Sequence, residues 1–337
     1  MEKILSKLYN HQSLSIEESQ FVFNMIIKDQ LDSVTLSSFL TALKMKGEHQ
    51  NEIVGAAIAL KNNALNFPLI HYPVTDIVGT GGDNSNTFNI STTSAIVASS
   101  CNIKIAKHGN KNVSSLSGST NLLESLGINI DNKPEHSKLF LDKLGICFLY
   151  APYYHKGIKY VTPVRKALRT RTIFNILGPL INPANPRYTL IGVYDQSLLK
   201  PISKSLVKLG VQNAAVIFGS GLDEFSVHDK TKIIEIYNNE MQYYELSPVD
   251  FGLKKHKSSE LKGGNPDENA QITTNILNGE GSCAQNSVIA MTVSYVMKLN
   301  GQKNIKHNAE FVLEHLKSGK AAQKIHEIKE LQKEITF

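Results

Sequence analysis

The hydrophobic pattern changes period near Pro73, and that change leaves few architectures open to the chain. Up to residue 66, apolar residues recur at helical spacing. Phe21, Val22, Met25 and Ile26 form one such face, introduced by Ser15 and Glu18 at the spacing of a capping box. Leu36, Phe39, Leu40 and Leu43 form a second face, stopped near Gly47, and Ile53, Val54, Ala57 and Ile58 a third. Beyond Pro73, short β-branched runs alternate with helical stretches. Candidate strands are 75–78, 103–106, 147–150, 190–194 and 214–218, and a helix over 120–126 ends at Gly127. The runs 233–237 and 241–246 flank Asn238-Asn239 and read as an antiparallel hairpin. Residues 256–269 read as loop, and 287–299 and 308–331 as helices. The expected fold class is therefore α/β, a small helical domain plus a large α/β domain with a mostly parallel central sheet.

A proline-punctuated segment, 152–187, interrupts the α/β half and carries Arg165, Arg169, Arg171 and Arg187. It reads as a return excursion into the helical part, across a cleft from the first strand–loop unit. The expected division is 1–70, joined by about 155–186, for the small domain, and 71–154 with 187–337 for the large one.

Composition narrows the class. With 337 residues, 41% hydrophobic and 20% charged, the chain reads as an ordinary globular protein with room for a large core. Cys101, Cys147 and Cys283 are widely spaced, which fits a reducing compartment and offers no disulfide or metal framework. The first residues lack the apolar core of a signal peptide, and no apolar run reaches the ~20 residues of a membrane span. A cytoplasmic location without a membrane partner is expected. The net charge of +6 fits a basic surface, an anionic substrate or nucleic acid. Aromatic residues make up 7%, with no tryptophan, and form no base-stacking platform, so no nucleic-acid partner is expected.

Four constellations carry chemistry. The first is Gly79-Thr80-Gly81-Gly82-Asp83, which follows an apolar lead-in and precedes a helical Ser/Thr/Ala segment. Strand, glycine loop and helix start together present several N–H groups to a phosphate. Neither the P-loop nor the dinucleotide-binding spacing is met, and alone the loop also reads as a structural turn. Asn89, Ser91 and Thr92 add acceptors for a metal and donors for a phosphate. The second is Lys107-His108-Gly109-Asn110, followed by Val113 to Ser119, after the second candidate strand. Loops at the carboxyl ends of parallel strands converge on one crevice. The third is Asp223-Glu224, a pair that would usually be solvated but that beside a phosphate site suits Mg²⁺. The fourth is Arg165, either a surface residue or a fork for a carboxylate. No Ser-His-Asp motif and no zinc spacing is present.

Long segments carry a family resemblance: DIVGTGGDNSNTFNIST (76–92), KHGN followed by VSSLSGS (107–119), HKGIKYVTPVR (155–165), RTIFNILGPLINPA (171–184) and GLDE (221–224). In these the chain resembles the anthranilate phosphoribosyltransferase family over nearly its whole length. The resemblance implies a homodimer that joins anthranilate to 5-phosphoribosyl 1-pyrophosphate with two Mg²⁺ ions per monomer, the second step of tryptophan biosynthesis from chorismate. It implies that Gly79, Gly82, Asp83, Thr87, Asn89, Ile90, Ser91, Thr92, Lys107, His108, Gly109, Asn110, Lys111, Asn112, Val113, Ser114, Ser115 and Ser119 contact phosphoribosyl pyrophosphate. It implies further that Gly79, Asn110 and Arg165 meet anthranilate, and that Ser91, Asp223 and Glu224 serve the metal. No side chain is assigned as a strong general base. The chain departs from the family pattern at Lys111, Asn112, Leu116 and Arg169, the last standing where a glycine is frequent. Pyrimidine nucleoside phosphorylases share the fold and the glycine loop, but the segment around Arg165 argues against them. A nucleic-acid-binding relative without activity would have no need of the intact phosphate and metal motifs.

Overall fold

The computed structural model describes residues 1–110 and 117–336. Four helices come first: α1 (Glu2–Tyr9), α2 (Ile16–Ile27), α3 (Ser33–Lys46) and α4 (Gln50–Asn62). The capping box read from the sequence is formed, with the Glu18 N–H donating to Ser15 Oγ at 3.1 Å and the Ser15 N–H to Glu18 Oε2 at 2.9 Å. Then follow β1 (Thr75–Gly79), α5 (Ile90–Ser100), β2 (Ile105–Gly109), α6 (Ser119–Ser125), α7 (Pro134–Leu144) and β3 (Ile146–Tyr150). The excursion holds α8 (Ala151–Tyr154), α9 (Thr162–Leu168) and α10 (Phe174–Leu177). The chain returns through β4 (Tyr188–Gly192), α11 (Leu199–Lys208), β5 (Asn213–Phe218), β6 (Thr231–Tyr237) and β7 (Glu240–Leu246). It closes with α12 (Pro266–Leu277), α13 (Cys283–Leu299), α14 (Ile305–Lys317) and α15 (Lys320–Thr336).

The seven strands form one sheet in the order β3-β2-β1-β4-β5-β6-β7. The first five in that order run parallel, and β6 and β7 add the antiparallel hairpin across Asn238 and Asn239, whose φ values of 49° and 68° fit the turn. Successive strand residues point to opposite faces, and the two faces feed two cores. Ile77, Leu190, Ala215 and Ile217 pack with α5 and α13. Val78, Ile191, Val216 and Ile236 pack with α2, α3, α4 and α11. Val161, Val164, Ile173, Phe174, Leu177 and Ile181 of the excursion lie in that second core, beside Phe23 and Phe39.

Several sequence expectations need correction. The second strand starts at Ile105 and runs through Lys107 and His108, so those two are strand residues. The turn at Asn102, with φ 65°, delays the strand until it can pair with β3. The fourth strand lies two residues earlier than expected, in register with β1 from Thr75 opposite Tyr188. Residues 256–269 contain a short turn of helix, Ser258–Leu261, and the start of α12. Asn265 caps that helix and accepts from the Asp267 and Glu268 N–H groups, each at 3.0 Å. The expected helix over 308–331 is two helices, broken where Gly319 takes φ 70°.

Candidate active site

The carboxyl ends of β1, β2 and β5 deliver the main chemical groups. After β1 the chain turns through Gly81 and Gly82, with φ values of 66° and 80° that favour glycine, and enters α5 at Ile90. The acidic turn after β5 lies against this loop. A Cβ on Gly79 would overlap the Asp223 carboxylate, and one on Gly192 would overlap the Asp223 main-chain carbonyl. Both positions therefore need a residue without a side chain. The Gly81 N–H donates to Asp223 Oδ2 at 2.7 Å, and the Asp223 N–H reaches Asp83 Oδ2 at 3.4 Å. The Ser91 N–H donates to Glu224 Oε1 at 3.1 Å, and the Ser91 hydroxyl donates to the same oxygen.

Around these groups lies a cavity of about 310 Å³. It is lined by Gly79, Gly82, Asp83, Thr87, Asn89, Ile90, Ser91, Thr92, Lys107, His108, Gly109, Asn110, Ser119, Arg165, Asp223 and Glu224. Residues widely separated in the sequence thus share one space. Lys111, Asn112, Val113, Ser114 and Ser115 lie outside the described residues. Asn89 ties the first loop to the second, its Nδ2 donating to the Ser117 carbonyl at 3.0 Å. Ser119 Oγ donates to the Asn110 carbonyl at 3.1 Å. A larger cleft of about 640 Å³ lies at the amino ends of β1 and β2, beside Tyr72 and Lys104. Ligands of such sheets bind at the carboxyl ends, where the acidic turn and both loops stand.

The carboxylates of the cavity are buried and crowded. Burial raises Asp223 well above the usual carboxylate range, and the neighbouring Asp83 and Glu224 raise it further. Burial raises Glu224 too, opposed by the hydrogen bond from Ser91 and the charge of Lys107. Crowded carboxylate oxygens with a hydroxyl beside them are a hard-cation donor set. Among the described residues no three His, Cys, Asp or Glu side chains form a complete protein-only metal cage. That fits Mg²⁺, which keeps waters and takes substrate phosphates as ligands. Lys107 is buried, and its ammonium donates to the Ile77 carbonyl at 2.6 Å.

His108 and His155 stack edge to face, their ring centroids 5.4 Å apart. His108 Nδ1 faces the Gly178 carbonyl at 3.2 Å and His155 Nε2 the Ile181 carbonyl at 3.0 Å, so each of these nitrogens carries the hydrogen. Burial, then the neighbouring His155, pushes His108 down to about 3; burial pushes His155 down to about 4. Both imidazoles are neutral, and His108 Nε2 remains a buried acceptor with no hydrogen-bond partner among the described residues.

The far wall comes from the excursion. Arg165 leaves α9 with its guanidinium 5.6 Å from the Phe174 ring centroid, and no carboxylate pairs with it among the described residues. Phe174, Asn175, Gly178, Pro179 and Ile181 also line the cavity. They sit in the segment 171–184, whose Gly and Pro punctuation marked an irregular path without marking a ligand wall. Arg171 is a further residue that pattern reading passed over. Its guanidinium stacks 4.2 Å from the Tyr194 ring centroid, and a Cβ on Gly82 would stand 3.0 Å from its Nε.

Comparison with known proteins agrees with this arrangement. The model of the glycosyl transferase family helical bundle domain matches residues 2–64, and that of the family's a/b domain matches residues 71–322. An anthranilate phosphoribosyltransferase of Photobacterium profundum is 50% identical, with 97% of this chain and 96% of the relative covered. Among solved structures, the anthranilate phosphoribosyltransferase of Thermus thermophilus superposes with a TM-score of 0.91 at 32% identity, covering 97% of this chain and 98% of the other. The Saccharomyces cerevisiae enzyme in complex with phosphoribosyl pyrophosphate and Mg gives 0.90 at 30% identity, covering 98% and 96%. Two matched family domains, a shared fold, and half identity over nearly the whole length make this chain a member of the anthranilate phosphoribosyltransferase family.

Proposed function

We infer that the cavity transfers the phosphoribosyl group of 5-phosphoribosyl 1-pyrophosphate to the amine of anthranilate, giving N-(5-phosphoribosyl)anthranilate and pyrophosphate. One observation carries the reading. A glycine-loop anion cradle, a buried Asp-Glu pair and an arginine from a separate segment line the same space.

The roles follow from the chemistry of each group. The N–H groups of the loop through Gly79, Gly82 and Asp83, with Thr87, Asn89, Ile90, Ser91 and Thr92, hold one side of phosphoribosyl pyrophosphate. Lys107, His108, Gly109, Asn110 and Ser119 hold the other. Ser91, Asp223 and Glu224 hold Mg²⁺, two ions per monomer. Bound there, the metal neutralises charge on the departing pyrophosphate. Arg165 receives the anthranilate carboxylate, and Gly79 and Asn110 meet the same acceptor.

The bond from C1′ to the pyrophosphate oxygen breaks, and its electron pair leaves with pyrophosphate. The amine lone pair of anthranilate forms the new bond to C1′. Fixed N–H groups of the two loops stabilise the leaving charge without reorganising. The attacking nitrogen becomes strongly acidic as the bond forms and gives its proton to the departing pyrophosphate, so no strong side-chain base is required. A neutral His108, pushed down to about 3, carries no proton at Nε2, so it suits an acceptor for a hydroxyl of the phosphoribosyl donor better than a proton-carrying base. Positioning then supplies most of the acceleration.

Two further readings belong here. Tyr9 of α1 and Val34 and Met45 of α3 are 57%, 77% and 76% exposed, and this bundle face forms a homodimer in the proposed assembly. No helix among the described residues is long and apolar enough to cross a membrane, which supports a cytoplasmic enzyme.

The test of the main reading is the loss of anthranilate fluorescence with phosphoribosyl pyrophosphate and Mg²⁺ present. Consumption that requires both supports it. No consumption by well-folded protein overturns it.

A further inference from the structure

β1 and β2 are neighbours in the sheet, yet they share a single register position, Thr75 with Ile105. By contrast β1 pairs with β4 through five positions, and β2 with β3 through five. The β1–β2 ladder starts normally, with the Thr75 N–H donating to the Lys104 carbonyl at 2.8 Å. Continued in parallel register, it would next join the Ile77 N–H to the Ala106 carbonyl, and the His108 N–H to the Ile77 carbonyl. The register ends before that point, and side chains take up the same main-chain groups. Asn182 Nδ2 donates to the Ala106 carbonyl at 2.8 Å. The His108 N–H donates to Asp76 Oδ1 at 3.3 Å. Lys107 Nζ donates to the Ile77 carbonyl at 2.6 Å. The Ile77 N–H lies against the Asp76 carboxylate. Asn182 Nδ2 also donates to Asp76 Oδ2 at 2.8 Å, and the Ala184 N–H donates to Asn182 Oδ1 at 2.9 Å.

Asp76, Lys107 and Asn182 are all buried, so every one of these bonds is made away from water. Main-chain groups in such a place must be paired. Here they are paired by a polar splice inserted between two strands that have stopped pairing. A ladder that ran on would hold the strand ends about 4.8 Å apart, whereas here the splice sets the approach of the two ends. Three residues after Asp76 comes Gly79, and one residue after His108 comes Gly109; both line the cavity.

We propose that Asp76 and Asn182 are positioning residues for phosphoribosyl pyrophosphate, which hold the ends of β1 and β2 apart so that their loops stand on two sides of the donor. The proposal rests on the function inferred above. It adds a role for two residues that do not themselves touch substrate. Asn182 lies in the segment that follows α10, so the splice also fixes that segment against the sheet.

Asp76→Asn tests it. The substitution keeps size and an acceptor for the His108 N–H, but turns an amide toward the Asn182 amide and removes the charge facing Lys107. Calorimetric affinity for phosphoribosyl pyrophosphate with Mg²⁺ should weaken about tenfold or more, as expected for loss of a buried charge-assisted bond. KM for phosphoribosyl pyrophosphate should rise by the same factor, and KM for anthranilate should stay within about twofold. A lower melting temperature with donor affinity and both KM values unchanged would mean a merely structural role and overturns the proposal. If Asp76→Asn does not fold, Asn182→Ala is judged by the same criteria. If neither folds, the pair is structural and the proposal falls. The wild-type assay separates the two readings: protein that binds the donor yet leaves anthranilate untouched refutes the acceptor assignment, while the calorimetric comparison still judges the splice.

Discussion

Gly192 at the end of β4 and Asp223 in the acidic turn fit together only because Gly192 has no side chain: a Cβ there would overlap the Asp223 carbonyl. The contact is with main chain, so no rotamer change relieves it. Gly192→Ala should push the acidic turn away from the glycine loop. We expect a loss of about 1–3 kcal/mol in stability, the usual range for overpacking. We also expect turnover to fall well beyond the fraction unfolded, because Asp223 leaves its place beside Gly81. Parallel thermal melts and Mg²⁺-dependent rates check this, and wild-type rates in the alanine variant would refute it.

Arg165 lines the cavity, and its proposed role concerns one substrate. Arg165→Ala should raise KM for anthranilate about 10- to 100-fold, the scale of one lost hydrogen-bonded ion pair. KM for phosphoribosyl pyrophosphate should change little. Steady-state kinetics with each substrate varied in turn decide the matter; an unchanged KM for anthranilate removes the assigned role.

Asp223→Asn combined with Glu224→Gln removes two charges and keeps the volume. Turnover should drop by about a hundredfold or more, the scale of losing a principal electrostatic group. The remaining activity should respond weakly to Mg²⁺. A metal titration of the double variant with a full wild-type response would show that the ions bind elsewhere.

Two buried imidazoles give a pH signature. His108 and His155 are pushed down to about 3 and about 4, chiefly by burial. Their folded values lie below the ordinary 6.5, so the unfolded chain takes up protons first. The stability they contribute is complete above about pH 6.5 and declines as pH falls toward the folded values, by about 1.4 kcal/mol per pH unit for each ring. Nitrogen-detected NMR should show neither ring titrating between about pH 8 and 5. In His155→Gln the slope of stability against pH between about pH 6 and 5, below the unfolded value and above the folded one, should lose about one proton. A ring titrating near 6.5 would contradict the buried neutral pair.

Arg169 caps α9 in the left-handed region, with φ 49°. This is the position at which the family frequently has glycine, and the backbone supplies the reason. Arg169→Gly should stabilise the chain by about 0.5–1 kcal/mol, the left-handed strain relieved less the entropy that glycine adds to the unfolded state. Urea unfolding of the two proteins measures it, and a destabilised glycine variant would show that the arginine side chain contributes more than its strain costs.

What could be read in the sequence was what is local. Ser15 and Glu18, Asn238-Asn239 and the strand–glycine–helix run at 75–99 each declare themselves within a few residues, because caps, hairpins and phosphate loops are made of neighbours. The acidic turn was legible for the same reason, although its meaning came from the phosphate loops beside it. The rest depends on distant packing. Phe174, Pro179 and Asn182 reach the site because the excursion folds back across the sheet; the prolines of 152–187 announce that excursion, but no spacing says which of its residues face the cavity. The start of α12 was hidden because Gly263-Gly264-Asn265-Pro266 reads as loop, while Asn265 is in fact the cap of the helix. The end of the β1–β2 ladder has no sequence signature, since Ile77 and Ala106 look like ordinary strand residues and His108 reads as the start of the loop that follows.

The two cores on either face of the sheet bear on what counts as a unit of this protein. The strand face with Val78, Ile191, Val216 and Ile236 is packed under the bundle helices and α11. The two family models meet between residues 64 and 71, yet that seam in the sequence is no seam in the interior. A fragment beginning at residue 71 would keep α11 and the excursion on that face but expose the apolar area the bundle covers, and the bundle alone would lack the floor its helices rest on. What the two family models divide along the chain, one core joins in the interior.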